Sequence, residues 1–162
     1  MDIRLEPLVP PLSDGDVAFC VKGLHEVFAS IDSWHEAGRV KPYLDKELAR
    51  DDTWIFIAVS NATDERVGLL SVTRFAMPRY LGHAYEVEEM CVLPAFKGRR
   101  VATRMLELLV EMYRKDPDAR KLLIRTNDTN HAARKAYGRV CETVDMISMQ
   151  VFLNKLPHEA PR

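Results

Sequence analysis

No stretch of this 162-residue chain is apolar for long enough to cross a bilayer. The longest apolar runs, such as Trp54 to Val59, fall far short of the ~20 residues a membrane helix needs. The first residues, Met1-Asp2-Ile3-Arg4-Leu5-Glu6, carry two acids and no apolar centre, so no secretory signal is expected there. Cysteine is scarce. Cys20, Cys91 and Cys141 are an odd number with no paired metal spacing, which suits reduced thiols in a cytoplasm. Excess charge of one sign is also missing: 23 Lys+Arg stand against 24 Asp+Glu, a formal net charge of −1. That balance gives no general attraction to nucleic acid or to a membrane surface. The histidines at 25, 35, 83 and 131 are scattered, with no HxxxH-type spacing, so no metal site is expected. Of these, only His83 stands where it could meet a substrate, just before an acidic strand.

What the chain does have is 47% hydrophobic residues, enough for one domain with a full core. The domain is expected over residues 1–156, followed by a polar tail over 157–162 that holds Pro157 and Pro161. Patterning alternates between strand and helix. Ile3 to Leu5 reads as a short strand. Ser13-Asp14 can cap a helix whose buried stripe is Val17, Val21, Leu24 and Phe28. A second helix runs from Lys41 to Arg50. Thr53 to Ser60 and Arg66 to Phe75 read as strands joined by the turn Asn61 to Glu65, a hairpin. Met77 to His83 is a loop, and Ala84 to Val92 a strand stopped by Pro94. Gly98 to Lys115 is an amphipathic helix, with Val101, Met105, Leu108, Leu109 and Met112 at helical spacing. Lys121 to Arg125, Asn130 to Arg139 and Val144 to Leu153 follow as strand, helix and strand. The order β-α-α-β-β-β-α-β-α-β predicts a mixed α/β fold, one twisted sheet covered by helices.

The segment Val92 to Leu106 carries the most chemistry. A strand ends, Pro94 stops its pairing, and a basic turn containing Gly98 opens directly into a helix. The first turn of a helix has free N–H groups and the positive end of its dipole, so it binds anions. Lys97, Arg99, Arg100 and Arg104 add positive charge there, and Thr103 adds a hydroxyl. The natural ligand is a pyrophosphate; the alternative is a solvated basic turn before an ordinary helix. The strand leading in, Glu86-Val87-Glu88-Glu89-Met90-Cys91-Val92, places three carboxylates in four positions, which a strand buried on both faces would not choose. Strict alternation puts Glu86 and Glu88 on one face and Glu89 on the other, and a bulge would change this. An acidic edge that is merely solvated is the plainer reading of that strand.

Lys97-Gly98-Arg99-Arg100-Val101-Ala102 resembles the acyl-CoA-binding signature of the GCN5-related N-acetyltransferases, Arg/Gln-x-x-Gly-x-Gly/Ala. Lys97 replaces the usual Arg or Gln, and Arg100 the usual central Gly. A helical φ/ψ is open to Arg, so the N–H cradle is expected to survive. Asn130-His131-Ala132-Ala133-Arg134-Lys135-Ala136-Tyr137 is similar to the Asn-x-x-Ala-x-x-x-Tyr helix of the same superfamily, though Cys141-Glu142 stands where a Gly-aromatic pair usually follows. The resemblance implies a single domain whose sheet is mostly antiparallel and flanked by helices, and acetyl-CoA as co-substrate. It implies that the acidic strand is splayed from its neighbour, and that the backbone near Cys91 and Val92 pairs with the pantetheine amides. Asn130 would reach the pantetheine or cap its helix, and Ala133 would keep that face small.

The resemblance also implies the reaction. An alkylamine with a pKa of ~10 is protonated at neutral pH and cannot attack a carbonyl. Glu86 or Glu89 would take the proton through a water, the Val92 N–H would stabilise the oxyanion, and Tyr137 would protonate the thiolate. The acceptor expected is a primary amine on a small cationic molecule, taken by a cytoplasmic enzyme acting alone or as a homodimer. Weak likenesses to aminoalkylphosphonate and aminoglycoside acetyltransferases do not name it. The rival readings are a catalytically silent acyl-CoA-binding regulatory domain and a protein or peptide N-acetyltransferase.

Overall fold

In the computed structural model, which describes residues 1–26 and 38–144, the β-branched run predicted as a strand pairs on both of its edges. It is β2 (Thr53–Ser60), flanked antiparallel by β1 (Ile3–Pro7) and β3 (Arg66–Met77). β3 pairs antiparallel with β4 (Gly82–Val92), and β4 pairs parallel with β5 (Ala119–Ile124). The described sheet is therefore open, five-stranded and mixed, in the order β1-β2-β3-β4-β5. The expected closing strand lies outside the described residues apart from Val144, as does the tail over 157–162.

Helices cover both faces. Ser13 caps α1 (Asp14–His25) with a complete capping box through Asp16, as its sequence predicts. Leu24 is only half-buried, and the buried stripe instead includes Cys20 and Gly23. The reason is space: a Cβ on Gly23 would stand 2.3 Å from Leu69 Cδ2. Phe28 lies outside the described residues. α2 (Val40–Leu48) joins α1 over Ile55. On the opposite face α3 (Val101–Tyr113) buries Val101, Met105, Leu106 and Leu109 against Phe56, Leu70, Val72 and Val87. Each such side chain contributes roughly 1.5–3 kcal/mol by leaving water. The short α4 (His131–Tyr137) packs beside α3, and ends earlier than expected because Gly138 caps it.

Two local features position the site. Gly68 on β3 lies against the end of β4, where an added Cβ would stand 2.5 Å from the Cys91 carbonyl oxygen. The β3–β4 register also shifts: Ser71 faces Glu89 while the next residue, Val72, faces Val87. Glu88 is thus an extra residue, a β-bulge. Before the bulge Tyr85 and Val87 face α3; after it Met90 and Val92 do. Cys91 faces the other way, with Ile57 and Leu69.

Candidate acyl-transfer site

The bulge changes the arrangement that strict alternation predicts. Glu86 lies opposite Thr73 on β3, and the Thr73 hydroxyl donates to Glu88 Oε1 at 3.1 Å. Glu89 shares the parity of Cys91. All three carboxylates therefore stand on the face away from α3. Their environments differ. Glu86 is 7% exposed, and its Oε1 accepts from Nε of Arg125, the residue just past β5, and ion-pairs with Nη2 of the same guanidinium. Glu88 is exposed. Glu89 is half-buried, and its carboxylate has no hydrogen-bond or ion-pair partner among the described residues. Burial, and then the neighbouring Glu88 charge, push its pKa above the ordinary carboxylate value.

β4 and β5 stay paired only as far as Val87 and Ile124. Beyond that point this edge of β4 is free of strand pairing among the described residues. The Leu93 N–H bonds the Val67 carbonyl, so by alternation Cys91 turns its backbone groups to β3, and Met90 and Val92 turn theirs to the free edge. The pairing ends where the splay beside this strand is expected. The open backbone belongs to Met90 and Val92, whereas Cys91, also expected to offer its backbone, spends it on β3. Its thiol is pushed up to about 11 by burial, which leaves it a poor nucleophile.

Above the free edge, Pro94–Phe96 forms one 3-10 turn before the basic loop. The helix was expected from Gly98 to Lys115, but α3 begins at Val101 because Gly98 (φ 79°) and Arg100 (φ 61°) are left-handed. Arg100 therefore lacks the helical φ/ψ expected of it and stands at the N-cap without a side-chain cap bond. The backbone N–H groups of Gly98, Arg100, Val101, Ala102 and Thr103 have no acceptor among the described residues. Those five orphan donors fit a diphosphate, the group that an acyl-CoA would place there.

Two of the polar side chains read into this cradle are used elsewhere. The Thr103 hydroxyl is buried and donates to the Ala136 carbonyl at 3.3 Å, tying α3 to α4. Arg104 pairs with Glu107 and Glu111 along its own helix. Lys97 pairs with Glu26 at 3.5 Å, and the Arg99 guanidinium lies over the Phe96 ring at 5.6 Å.

A model of the acetyltransferase (GNAT) family matches residues 24–142. The chain belongs to that family. No curated protein matches it, but solved structures do. A probable acetyltransferase superposes with a TM-score of 0.74 at 18% identity, covering 96% of this chain and 99% of that one. An aminoglycoside acetyltransferase from an uncultured soil metagenomic sample, in complex with sisomicin, gives 0.69 at 10% identity, covering 94% and 95%. A ribosomal-protein-alanine N-acetyltransferase from Brucella melitensis biovar Abortus 2308 gives 0.64 at 16% identity, covering 94% and 100%. At such identities the likeness is one of fold.

In the GNAT chain α4 packs against α3. Asn130 Oδ1 accepts from the Ala133 N–H at 3.1 Å, so of the two roles open to Asn130 the cap is the one occupied. Ala133 is half-buried. Tyr137 packs at the rim of the core, and burial first, then Cys141 and Glu89, raise its pKa, so its phenol stays protonated. The charge of Glu89 reaches Tyr137 from the other face of the sheet, so the two groups stand near one another.

His83 does not. Its Nε2 lies 2.6 Å from Asp116 Oδ2, at the far end of β4, where the Tyr85 hydroxyl also donates to Asp116. Those bonds, with the Asp118 N–H, hold the Asp116 carboxyl at about 2. Arg125 was not singled out from the sequence. Its only signal was a cation closing an apolar strand in a chain that also holds an acidic one.

Among the described residues no helix is long and apolar enough to cross a membrane, and no group of three His, Cys, Asp or Glu could hold a metal ion.

Proposed function

We propose that the chain transfers an acetyl group from acetyl-CoA to a primary amine of a small cationic molecule by direct attack. One observation carries this reading: where the β4–β5 pairing ends, a half-buried carboxylate (Glu89), unpaired among the described residues, lies within electrostatic reach of a protonated phenol (Tyr137), and the loop that follows β4 presents five orphan N–H donors.

The loop Lys97 to Thr103 would hold the diphosphate, and the edge of Met90 and Val92 would take the pantetheine amides as an added strand. When bound, acetyl-CoA supplies the acetyl thioester. Glu89 takes a proton from the incoming ammonium, directly or through a water. The Val92 N–H faces the open edge, where it stabilises negative charge on a carbonyl oxygen. Tyr137 holds a proton for the departing sulfur. Glu86 is already neutralised by Arg125 and serves less well as the base. The surplus of carboxylates on this face suits a cationic acceptor, in keeping with a neighbour crystallised with sisomicin. No residue in this scheme becomes acylated.

Glu89→Gln tests the reading by thiol release with acetyl-CoA across a panel of amines. A base must be deprotonated, and Glu89 is raised, so the acidic limb of kcat/KM lies above the ordinary ~4.3 of a glutamate. The variant should lose that limb, with kcat/KM lower by ~10²–10⁴-fold. Stability moves the other way. A carboxylate raised by folding destabilises the native state above its folded pKa, and that cost disappears as pH falls through it. Glu89→Gln should therefore raise Tm at neutral pH, with the gain shrinking in acid. An unaltered rate and limb would remove Glu89 from the reaction.

A further inference from the structure

The carboxylate face of the sheet turns apolar toward the β3–β4 hairpin. From Val72 onward β3 pairs with β4 without a further register shift, so Thr73 and Phe75 stand on the same face as the carboxylates. Phe75 is 40% exposed and lies opposite Ala84, which makes it a diagonal neighbour of Glu86 at ~7–8 Å. It is not a solitary apolar side chain at the surface. Met77 shares its face and is half-buried, and Tyr80 and Leu81, in the turn that follows, are exposed. That turn is held in place, because Arg120 donates to the carbonyls of Tyr80 and Leu81 at 3.0 and 3.1 Å. On β5, Leu123 is level with Glu86 and half-buried.

The acidic and apolar parts of this face are separated by a neutralised pair. Glu89 lies opposite Ser71, Glu86 opposite Thr73 and Ala84 opposite Phe75, so the Glu86 row falls between Glu89 and the Phe75 ring. Glu86 carries the Arg125 guanidinium, whose side chain is 68% exposed. The pair offers a flat surface with little net charge to repel an ammonium. From the Glu89 row to the Phe75 row the strand rises about 14 Å, at ~3.4 Å per residue.

We infer that Phe75 is a specificity-determining residue, and that the acceptor is a primary amine joined to a flat apolar body. The ammonium lies at Glu89, and the body lies over the Arg125 guanidinium against the Phe75 ring. The inference rests on the reading of this face as the acceptor side of an acetyl-CoA site. An aromatic body stacks on a guanidinium and packs on a second ring, and both contacts take apolar surface out of water. A doubly charged or polyhydroxylated amine gains nothing from the strip and leaves Phe75 wet.

Steady-state thiol release with acetyl-CoA tests this on phenethylamine, phenylbutylamine, putrescine and sisomicin. The proteins are the parent, Phe75→Ala and Phe75→Leu, each with its Tm. The parent should favour the aryl amines by about tenfold or more in kcat/KM, with phenylbutylamine ahead because its longer spacer reaches the ring. Phe75→Ala should cut that preference about three- to tenfold, the worth of one ring pair. The loss should fall on KM and not on kcat, since the ring meets the body of the acceptor and not the reacting atoms. Phe75→Leu keeps an apolar side chain without the ring and should lose a smaller share. Putrescine or sisomicin turned over as well as the aryl amines by the parent overturns the inference and leaves acyl transfer standing. So does an aryl preference unchanged in both variants. Thiol released with no amine of the panel would instead sink the reading of acyl transfer itself, and the inference with it.

Discussion

Replacing Arg125 by methionine removes the guanidinium from Glu86 while keeping most of the aliphatic stem. The result is a carboxylate whose side chain is 9% exposed, left without its cation. Two unit charges in hydrogen-bond contact, at ~3 Å, interact by about 1.4 kcal/mol at the permittivity of water and about 5.5 kcal/mol at an effective value of 20. The Arg125 side chain is 68% exposed, so water screens its half of the pair and the lower part of that range applies. Desolvating Glu86 has already been counted against the fold. A coupling of about 2 kcal/mol is expected, above the ~0–1 of a surface pair and below the ~3–5 of a fully buried one. Urea denaturation of the parent, Arg125→Met, Glu86→Gln and the double variant isolates this coupling. Arg125→Met alone should destabilise, and adding Glu86→Gln should recover most of the loss. A coupling under about 0.5 kcal/mol would mean that Glu86 is solvated after all. Glu86 would then rank with Glu89 as a base.

Two further substitutions probe the frame around the site. The Tyr113 hydroxyl is buried without a hydrogen-bond partner among the described residues, its ring stacked on Tyr85 at 3.6 Å between centroids. Tyr113→Phe should therefore stabilise by about 1–2 kcal/mol in urea denaturation, and a loss of stability would mean that the hydroxyl is satisfied. Gly68→Ala drives a methyl into the Cys91 carbonyl and should cost about 1–3 kcal/mol. It should also weaken acetyl-CoA binding through the displaced edge at Val92. Parental stability together with parental affinity would refute the close approach.

Much of this protein is local in origin. Thr53 to Ser60 is a strand because β-branched and apolar residues run unbroken, and Ser13 with Asp16 starts a helix because their side chains satisfy its first N–H groups. The site's outline is local as well: a proline ends one strand, a glycine turn follows, and a helix start leaves N–H groups without acceptors. Residues adjacent in sequence are sufficient for each of these, so they are legible without a structure. Side-chain destinations are not. Glu89 joins Glu86 on one face only because β4 carries an extra residue against Ser71, a matter of pairing between strands distant in sequence. Glu86 loses its claim as a free base to Arg125, a partner 39 residues away that β5 brings alongside. Thr103 turns from the basic loop to Ala136 once α4 packs on α3, and Arg104 follows the nearer charges on its own helix. Arg100 is held left-handed by the exit from one strand and the entry to the next helix, a constraint that its own chemistry opposes. Composition and spacing determine which groups the chain possesses; the partner that each one meets depends on register and packing, because a charge or hydroxyl is satisfied by whichever neighbour the fold brings nearest.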